Sequence, residues 1–402
     1  MLALAIIGPG IITAVADNDA AGISTFSVAA STFGYQMFII LLPIMIVLAV
    51  TQEIGARIAI VTEEGLGDLI REHYGVRMAI LIYLLLFVVN LIVVIMDVAG
   101  LKAALSLFHL NTTLFLPAII AALFLFVVLS NYTIIERFFF VLVAFYITYV
   151  ASAFLAKPDW VNAVTSLVIL RGQVSPHFLY VAIALIGTTV TAWGQFFIHS
   201  YVRDKHLTLE HLKYTRLEVY FGAFVTVVLT FFAMVAVAAT LYTHNIHVED
   251  AAVAALAIQP FAGQFATLLF GVGLLFAGIL GCVIVALSTA YVFSEFFGYS
   301  GSLDENFSKS KLFYTTLLVQ LGIATGVAMI PQISLFAITL AGNFISGAML
   351  PIIFYFLYKF ANNEAIMGTH TNNKFQNWLL VGSAVAIIFA SSLGLLGQIL
   401  GW

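Results

Sequence analysis

The segment IITAVADNDAAGISTFSV (residues 11–28) places two aspartates in the middle of an otherwise apolar stretch. The hydrocarbon core of a bilayer is about 30 Å thick, so a helix that crosses it needs about 20 mainly apolar residues. A charged group near the bilayer centre is costly and usually faces a cavity, where it serves a function. No lysine or arginine lies near Asp17 and Asp19 in the sequence. Two acids without a counter-ion of their own favour a bound cation.

The whole chain has the composition of a membrane protein. Hydrophobic residues are 63% of the 402 and charged residues are 8%, whereas a soluble domain is about half apolar and about a quarter charged. Eleven spans are predicted, at residues 2–33, 37–62, 78–107, 113–131, 133–156, 177–202, 214–243, 262–298, 311–330, 333–360 and 376–400. No soluble domain remains between them. We expect the lipid bilayer to be the main partner, with no nucleic acid and no obligate protein partner.

The N-terminus, the cysteine content and the absence of enzyme motifs narrow the class of protein further. The first ten residues carry no basic region, so we expect a first span with a missing or trimmed N-terminal tail, not a cleavable signal peptide. The single cysteine, Cys282, excludes a disulfide framework and a cysteine-based metal site. The sequence also has no phosphate-binding glycine loop and no HExxH motif. No cofactor is predicted.

The distribution of lysine and arginine predicts the orientation in the cell membrane, because cytoplasmic loops carry an excess of basic residues. With a cytoplasmic N-terminus, Lys157 and Arg171 lie outside and Lys102 lies within the third span. The other 12 basic residues lie on the cytoplasmic side: Arg57, Arg71, Arg77, Arg137, Arg203, Lys205, Lys213, Arg216, Lys309, Lys311, Lys359 and Lys374. An odd number of spans then places the C-terminus on the extracellular side.

The sixth span, LIGTTVTAWGQFFIHS (residues 185–200), is interrupted by polar and small residues like the first. Spans one and six open two five-helix units, which predicts two inverted repeats, at residues 1–156 and 177–360, followed by an additional helix at 376–400. Interrupted helices at matching positions of two halves are typical of transporters, where free carbonyls and helix ends coordinate an ion. The polar residues of this second break are Gly187, Thr188, Thr189, Thr191, Ala192, Gly194 and Gln195.

Each candidate ligand also has a purely structural interpretation. Asp17 or Asp19 could cap the broken helix, and threonines in membrane helices often bond to backbone carbonyls. Gln195 is harder to explain this way, because a buried amide needs partners. Asn343 in the tenth span could add an oxygen to the same cavity or bond to a neighbouring helix. Histidine 199 could relay protons or pack by a hydrogen bond.

Three other polar groups are predicted to have different roles. Asn18 points away from its two acidic neighbours on a helical stretch and could instead satisfy backbone groups at the break. Asp97 could pair with Lys102 or lie in an aqueous path. Glu53 and Arg57 are four residues apart and are predicted to form an ion pair.

The first span resembles the opening helix of the Nramp family of divalent-metal transporters. That family begins the helix with GPG, carries a DPGN break and ends near FGY or YGY. Here GPG is residues 8–10, and counting back from Gly34-Tyr35 places Asp19 on the family's aspartate and Gly22 on its asparagine. The resemblance implies a LeuT-type fold, all α-helical, with helices 1 and 6 broken at mid-membrane.

The second break and the tenth span resemble the family with substitutions. Counting back from His199-Ser200 places Ala192 on the family's metal-binding methionine, and counting forward from Gly187 places Thr191 there. Asn343 falls where the family has a glutamine, before a Leu-Pro pair at 350–351. The metal ligands that follow from the resemblance and the breaks together are Asp19, Gly22, Ala192, Gln195, Asp17, Asn343 and Thr191.

These substitutions indicate a hard cation. A thioether favours transition metals over calcium and magnesium, and it is absent here. Magnesium dehydrates reluctantly and usually keeps several waters, which suits a roomy site of oxygen ligands. The pattern resembles the Nramp-related magnesium transporters, a branch that takes up Mg²⁺ and also passes Mn²⁺.

The same comparison predicts that proton coupling is lost. Aligned on Asp97, the acidic residues of span three in the coupled members become Asn90 and Gly100, and span nine contains no arginine. The predicted function is downhill uptake of Mg²⁺ and Mn²⁺ by alternating access. The alternatives are a proton-coupled Mn²⁺/Fe²⁺ transporter, an amino-acid or amine carrier, a channel and, from another class, an intramembrane aspartyl hydrolase.

Overall fold

The chain is entirely α-helical and 3₁₀-helical in its regular structure, in a computed structural model that describes residues 8–246, 251–299, 301–330 and 335–400. Within these ranges, ten helical segments are long and apolar enough to cross a membrane. The first of them, Ala20–Thr62, is divided by a 3₁₀ turn at Gly34–Ile40. It therefore contains the second half of the predicted first span and the predicted second span. The prediction of an all-α membrane protein is confirmed.

The helices follow the predicted spans closely. The first span consists of α1 (Pro9–Ala16) and α2 (Ala20–Phe33). The helices after it are α3 (Leu41–Thr62), α4 (Leu66–Tyr74), α5 (Val76–Leu107), α6 (Thr112–Leu129), α7 (Tyr132–Ala144), α8 (Ile147–Leu155), α9 (Trp160–Thr165), α10 (Pro176–Thr189), α11 (Ala192–Asp204), α12 (Leu212–Thr240), α13 (Ala251–Phe297), α14 (Lys311–Met329), α15 (Leu335–Ala361), α16 (Glu364–Met367) and α17 (Lys374–Leu400).

The sixth span is interrupted like the first, and each of its two helices begins with an N-capping residue. α10 begins with Ser175 as N-cap, whose side chain accepts a hydrogen bond from the backbone N–H of Phe178 at 3.0 Å, and with proline at the first helical position. The helix ends at Thr189, and α11 starts at Ala192 with Thr191 as its N-cap. Both predicted helix breaks are therefore present.

The two interrupted spans lie at the centre of the bundle. In the most apolar window of Pro176–Asp204, 94% of residues are buried, against 22% in Thr112–Leu129. α1 and α2 pack against α12, α2 also packs against α13, and α10 packs against α15 and α17. Non-helical backbone at membrane depth is tolerated only where protein or a cavity surrounds it, and the central position supplies that surrounding.

The long helix α13 changes direction at Gly263, whose φ of +85° is outside the helical region. Glycine adopts this conformation without the penalty that a Cβ would bring. The membrane-crossing part of α13 is Gly263–Phe297, close to the predicted span 262–298. The division of the chain into two inverted five-helix repeats and an additional helix stays a prediction.

Candidate metal site at two helix breaks

The first break is built around the N-cap of α2. The backbone N–H of Asp19 still bonds to the carbonyl of Ala16 at 3.0 Å, as the last turn of α1 tightens. Asp19 then takes an extended conformation with ψ of 178°, and its Oδ1 accepts a hydrogen bond from the N–H of Gly22 at 2.7 Å. The carboxylate is 1% exposed. One oxygen of Asp19 therefore holds the break, as the capping interpretation predicts, and the other does not take part in this cap.

The second break is joined to the first by one side chain. The hydroxyl of Thr191 accepts from the N–H of Gly194 at 3.0 Å and donates to Oδ1 of Asp17 at 3.0 Å. Thr191 thus caps α11 and ties it to the acidic segment between α1 and α2. The structure therefore brings together the two breaks that the sequence predicts separately.

The buried oxygen atoms near the breaks that have no hydrogen-bond partner among the described residues include Oδ2 of Asp17, Oε1 of Gln195 and Oδ2 of Asp97. The amide nitrogen of Gln195 donates to the carbonyl of Val190 at 3.0 Å, which fixes the side chain at the second break. A buried polar atom without a partner is costly. Carboxylate and amide oxygens are the ligands that hard divalent cations prefer, so these atoms fit a cation as the missing partner.

Gly22 packs closely against the acidic segment. A Cβ at this position would lie 2.5 Å from the carbonyl oxygen of Asp17, 3.3 Å from Oδ1 of Asp19 and 3.4 Å from the hydroxyl of Thr188. The first distance is too short for any side chain without movement of the break. Gly22 therefore contributes backbone only, and Thr188 of α10 lies beside Gly22, a proximity that the sequence does not reveal.

Ala192 and Asn343 are placed at the site in supporting positions. The N–H of Ala192 donates to the hydroxyl of Ser346 at 3.4 Å, and its methyl group brings no donor atom. The amide nitrogen of Asn343 donates to the hydroxyl of Thr25 at 2.7 Å and to the carbonyl of Ala21 at 3.5 Å. These contacts fit the interhelical alternative for Asn343, because they hold α15 against the first turns of α2.

Asn18 faces away from the acids, as predicted. Its amide nitrogen donates to the carbonyl of Thr226 at 3.3 Å, and its oxygen accepts from the hydroxyl of Thr230 at 2.8 Å. The break is thereby anchored to α12.

The predicted pair of Glu53 with Arg57 is present at 3.0 Å. His199 contacts the carbonyl of Gln195 through Nδ1 at 2.8 Å, which fits a packing histidine.

The prediction that Asp97 could form an ion pair with Lys102 is wrong. Lys102 donates instead to the carbonyl of Ala328 at 2.7 Å. Asp97 is fully buried, and its Oδ1 accepts from the N–H of Ala21 at 3.1 Å in the first turn of α2. The pairing fails because a lysine five residues along α5 points to a different face of the helix. Asp97 therefore joins the acidic break, a role that its sequence position does not indicate.

The site is strongly acidic for a position inside the helix bundle. Asp17, Asp19 and Asp97 are 0–1% exposed, and the ion pairs found among the described residues involve other carboxylates. The described ranges contain no group of three or more His, Cys, Asp or Glu side chains that could hold a metal ion by themselves. A cation at the breaks would therefore need oxygens other than these carboxylates as well, from amides, hydroxyls, backbone or water.

The fold and the paired breaks define a many-spanning membrane protein with a LeuT-type fold. Over 97% of the chain, the structure is similar to that of Mhp1, a nucleobase-cation-symport-1 family transporter, with a TM-score of 0.58, 13% identity and 92% of that chain covered. It is more similar to the manganese transporter of Eremococcus coleocola, with a TM-score of 0.76 and 17% identity over 98% of this chain and 86% of that one.

The sequence comparison identifies the family. Residues 10–397 match the model for Nramp, described as natural resistance-associated macrophage protein-like, and the chain belongs to this family. A curated relative, the divalent metal cation transporter MntH of Bacillus subtilis, is 26% identical over 410 residues, covering 96% of this chain and 91% of the relative. The chain is a transporter, so the hydrolase alternative is excluded.

Proposed function

We propose that this protein takes up divalent cations, chiefly partly hydrated Mg²⁺ and also Mn²⁺, by alternating access and without proton coupling. Divalent metal cation transport is the function of the curated relatives, which the chain matches over nearly its whole length. The choice of ion rests on the donor atoms at the breaks. The proposed ligands of Mg²⁺ or its waters are Asp19, Asp17 and Gln195, with backbone groups near Gly22, Thr191 and Ala192 and with Asn343 at the edge.

The observation that carries the proposal is the set of unpartnered buried oxygens. Oδ2 of Asp17 and Oε1 of Gln195 come from different breaks, and the bond between Thr191 and Asp17 brings these breaks together. No sulfur ligand is supplied by position 191 or 192, the positions that align with the methionine of the family. Oxygen ligands suit Mg²⁺, whereas a thioether suits softer metals.

The absence of proton coupling is proposed from the third and ninth spans. Asn90, at the position of one acid in coupled members, donates to the hydroxyl of Thr289 at 2.9 Å. Asp97 uses Oδ1 to bind the backbone of α2. Uptake would then be driven by the membrane potential, which is worth about 2.3 kcal/mol per charge per 100 mV.

Calorimetry of Mg²⁺ and Mn²⁺ binding to the wild type and to Asp19→Ala tests the ion and the site. We expect similar affinities for the two ions in the wild type and loss of both in the variant. The matched control is Asp159→Ala, which also removes an N-cap aspartate but on the surface, at α9. A strong preference for Mn²⁺ would contradict the magnesium assignment.

Proteoliposomes test the coupling. An inside-negative potential should accelerate Mg²⁺ uptake, and the internal pH should stay constant. Acidification of the lumen in step with Mg²⁺ entry would favour the proton-coupled alternative. Saturable uptake at transporter-like rates would indicate a carrier and not a channel. The full burial of Asp17 and Asp97 supports the carrier, because an open pore would expose its acidic groups to water.

The proposed location is the cell membrane with a cytoplasmic N-terminus. Five basic residues form ion pairs among the described residues: Arg57, Arg71, Arg203, Lys205 and Arg216. All five belong to the group that the positive-inside rule places in the cytoplasm. Their pairing with acids from several spans supports a common membrane side for this group.

A further inference from the structure

Two tyrosines on the fifth predicted span have buried hydroxyls that the proposed ligand set leaves unexplained. Tyr146 and Tyr149 are 0% exposed, and neither hydroxyl has a hydrogen-bond partner among the described residues. Their ring centroids are 5.9 Å apart at the start of α8. A phenol in a membrane core normally finds a partner for its O–H, and leaving two unpaired beside each other is costly.

The packing of α13 places Tyr149 at the level of the first break, and Tyr146 lies next to Tyr149. A Cβ on Gly273 would lie 2.7 Å from Cζ of Tyr149, so the tyrosine packs directly on this glycine. The next residue, Leu274, reaches the Gly100 position on α5, where a Cβ would lie 3.6 Å from its Cδ1 and would collide with Ala20. Tyr149 is therefore level with Ala20, the residue that follows Asp19.

The charges around the hydroxyls are those of the break. Tyr146 interacts electrostatically with Tyr149 and with the carboxylates of Asp19, Asp97 and Asp17. Tyr149 interacts electrostatically with the carboxylate of Asp19. Neither hydroxyl makes a direct hydrogen bond to these carboxylates. Ordered water between the phenols and the carboxylates would satisfy both sets of groups, as buried water does in other proteins.

We propose that the hydroxyls of Tyr146 and Tyr149 hydrogen-bond to the water molecules that Mg²⁺ retains, and that they form the wall of the cation site on the side of α8. This inference rests on the proposed function. Mg²⁺ keeps several waters when it binds to proteins, and those waters need acceptors beyond the carboxylates. A phenol oxygen accepts such a hydrogen bond, and its own proton can be donated to Asp19 or Asp97 through a further water.

The inference makes the tyrosines determinants of selectivity. A hydrated ion gains more from outer-shell acceptors than an ion that sheds its waters. Mg²⁺ dehydrates reluctantly, so it should depend on both hydroxyls more strongly than Mn²⁺ does. The hydroxyls then compensate for the side-chain ligands that Gly22 and Ala192 do not supply.

Calorimetry with Tyr146→Phe, Tyr149→Phe and the double variant tests the inference. Each change removes one oxygen and keeps the ring, and with it the ring contact between the two residues and that of Tyr149 with Phe270 on α13. The double variant should bind Mg²⁺ about tenfold more weakly, with a smaller loss for Mn²⁺. The matched control is Tyr83→Phe on α5, whose ring packs among Phe293 and Phe297 and which should leave both affinities unchanged.

The ratio of the two affinities decides the outcome. Equal losses for Mg²⁺ and Mn²⁺ would indicate a structural role and overturn the inference, as would unchanged Mg²⁺ binding. If the double variant does not fold, the single variants still report the ratio. A wild type that binds no Mg²⁺ would overturn the proposed function itself, which the wild-type titration reveals before any variant is compared.

Discussion

Gly22 has no room for a side chain, and this affects how its difference from the asparagine of the family should be interpreted. At the corresponding position the family carries an asparagine, which suggests that the larger residue would restore a ligand. Here a Cβ would lie 2.5 Å from the carbonyl oxygen of Asp17. The backbone of the break is therefore arranged for glycine, and a substitution would move Asp17 and Asp19 before it could add a donor.

We predict that Gly22→Ala weakens Mg²⁺ binding and lowers the free energy of unfolding by about 1–3 kcal/mol, the usual effect of overpacking. Calorimetry and thermal unfolding in detergent measure the two effects. Gly326→Ala is the matched control, because a Cβ there meets nothing within 4 Å and alanine favours a helix interior over glycine. Unchanged Mg²⁺ affinity in Gly22→Ala would contradict the proposed crowding.

At the scale of elements, the site depends on two helices that stop and restart at mid-membrane. Asp19 caps α2 and Thr191 caps α11, so each break exposes a helix N-terminus. Side-chain oxygens satisfy the free N–H groups there. Because Thr191 also donates to Asp17, α11 is linked directly to the acidic segment.

We predict that Thr191→Val destabilises the protein by about 1–2 kcal/mol and weakens Mg²⁺ binding, because the variant keeps the shape but loses both hydrogen bonds. Thr191→Ser keeps the hydroxyl and should restore stability and affinity to nearly wild-type values. Melting temperature in detergent and calorimetry measure the two effects. Equal behaviour of the valine and serine variants would show that the hydroxyl is unimportant.

At the scale of the whole molecule, an ionic cluster around the buried Glu53 connects helices that are distant in the chain. Glu53 on α3 accepts from Arg57 at 3.0 Å, from Arg216 on α12 at 2.7 Å and from Gln376 on α17 at 2.7 Å. Arg57 also donates to Asn372 and to the carbonyl of His370. Two cations and an amide surround one carboxylate, so α17 is fixed to the bundle by polar contacts as well as by packing.

We predict that Glu53→Gln lowers the free energy of unfolding by about 3–5 kcal/mol, the usual cost of removing one partner of a buried ion pair. Arg57 is 1% exposed and would remain buried with its charge uncompensated. The control is Glu72→Gln, since Glu72 is 49% exposed and lies 3.8 Å from Arg71. A loss below about 0.5 kcal/mol, the range of ordinary surface changes, would contradict this account.

The orientation of the whole chain is a separate prediction. Alkaline phosphatase fused after residue 402 should be active outside the cytoplasm, whereas fusion after residue 373, before α17, should be inactive. A fluorescent protein at the same two points should give the reverse pattern, because it folds in the cytoplasm. Activity of the phosphatase only after residue 373 would invert the topology predicted from the basic residues.

The sequence alone determined the membrane class, the spans and the two breaks. These follow from local properties: apolar length for the spans, and acids, small residues and threonines in mid-segment for the breaks within 17–19 and 187–195. Hydrocarbon tolerates only helices and closed barrels, so composition restricts the fold strongly. The resemblance to the Nramp family, carried by local motifs in the first span, was confirmed by the family match.

The contacts that make the site were decided only by the tertiary structure. Thr191 meets Asp17 across 174 residues, Asp97 meets Ala21 across 76, and Lys102 turns away from Asp97 to a carbonyl 226 residues distant. Tyr146 and Tyr149 carry no local signal, because an aromatic residue in an apolar segment is ordinary. Side chains meet through the packing of helices from distant parts of the chain, and the pattern within one span does not encode which neighbour it will face.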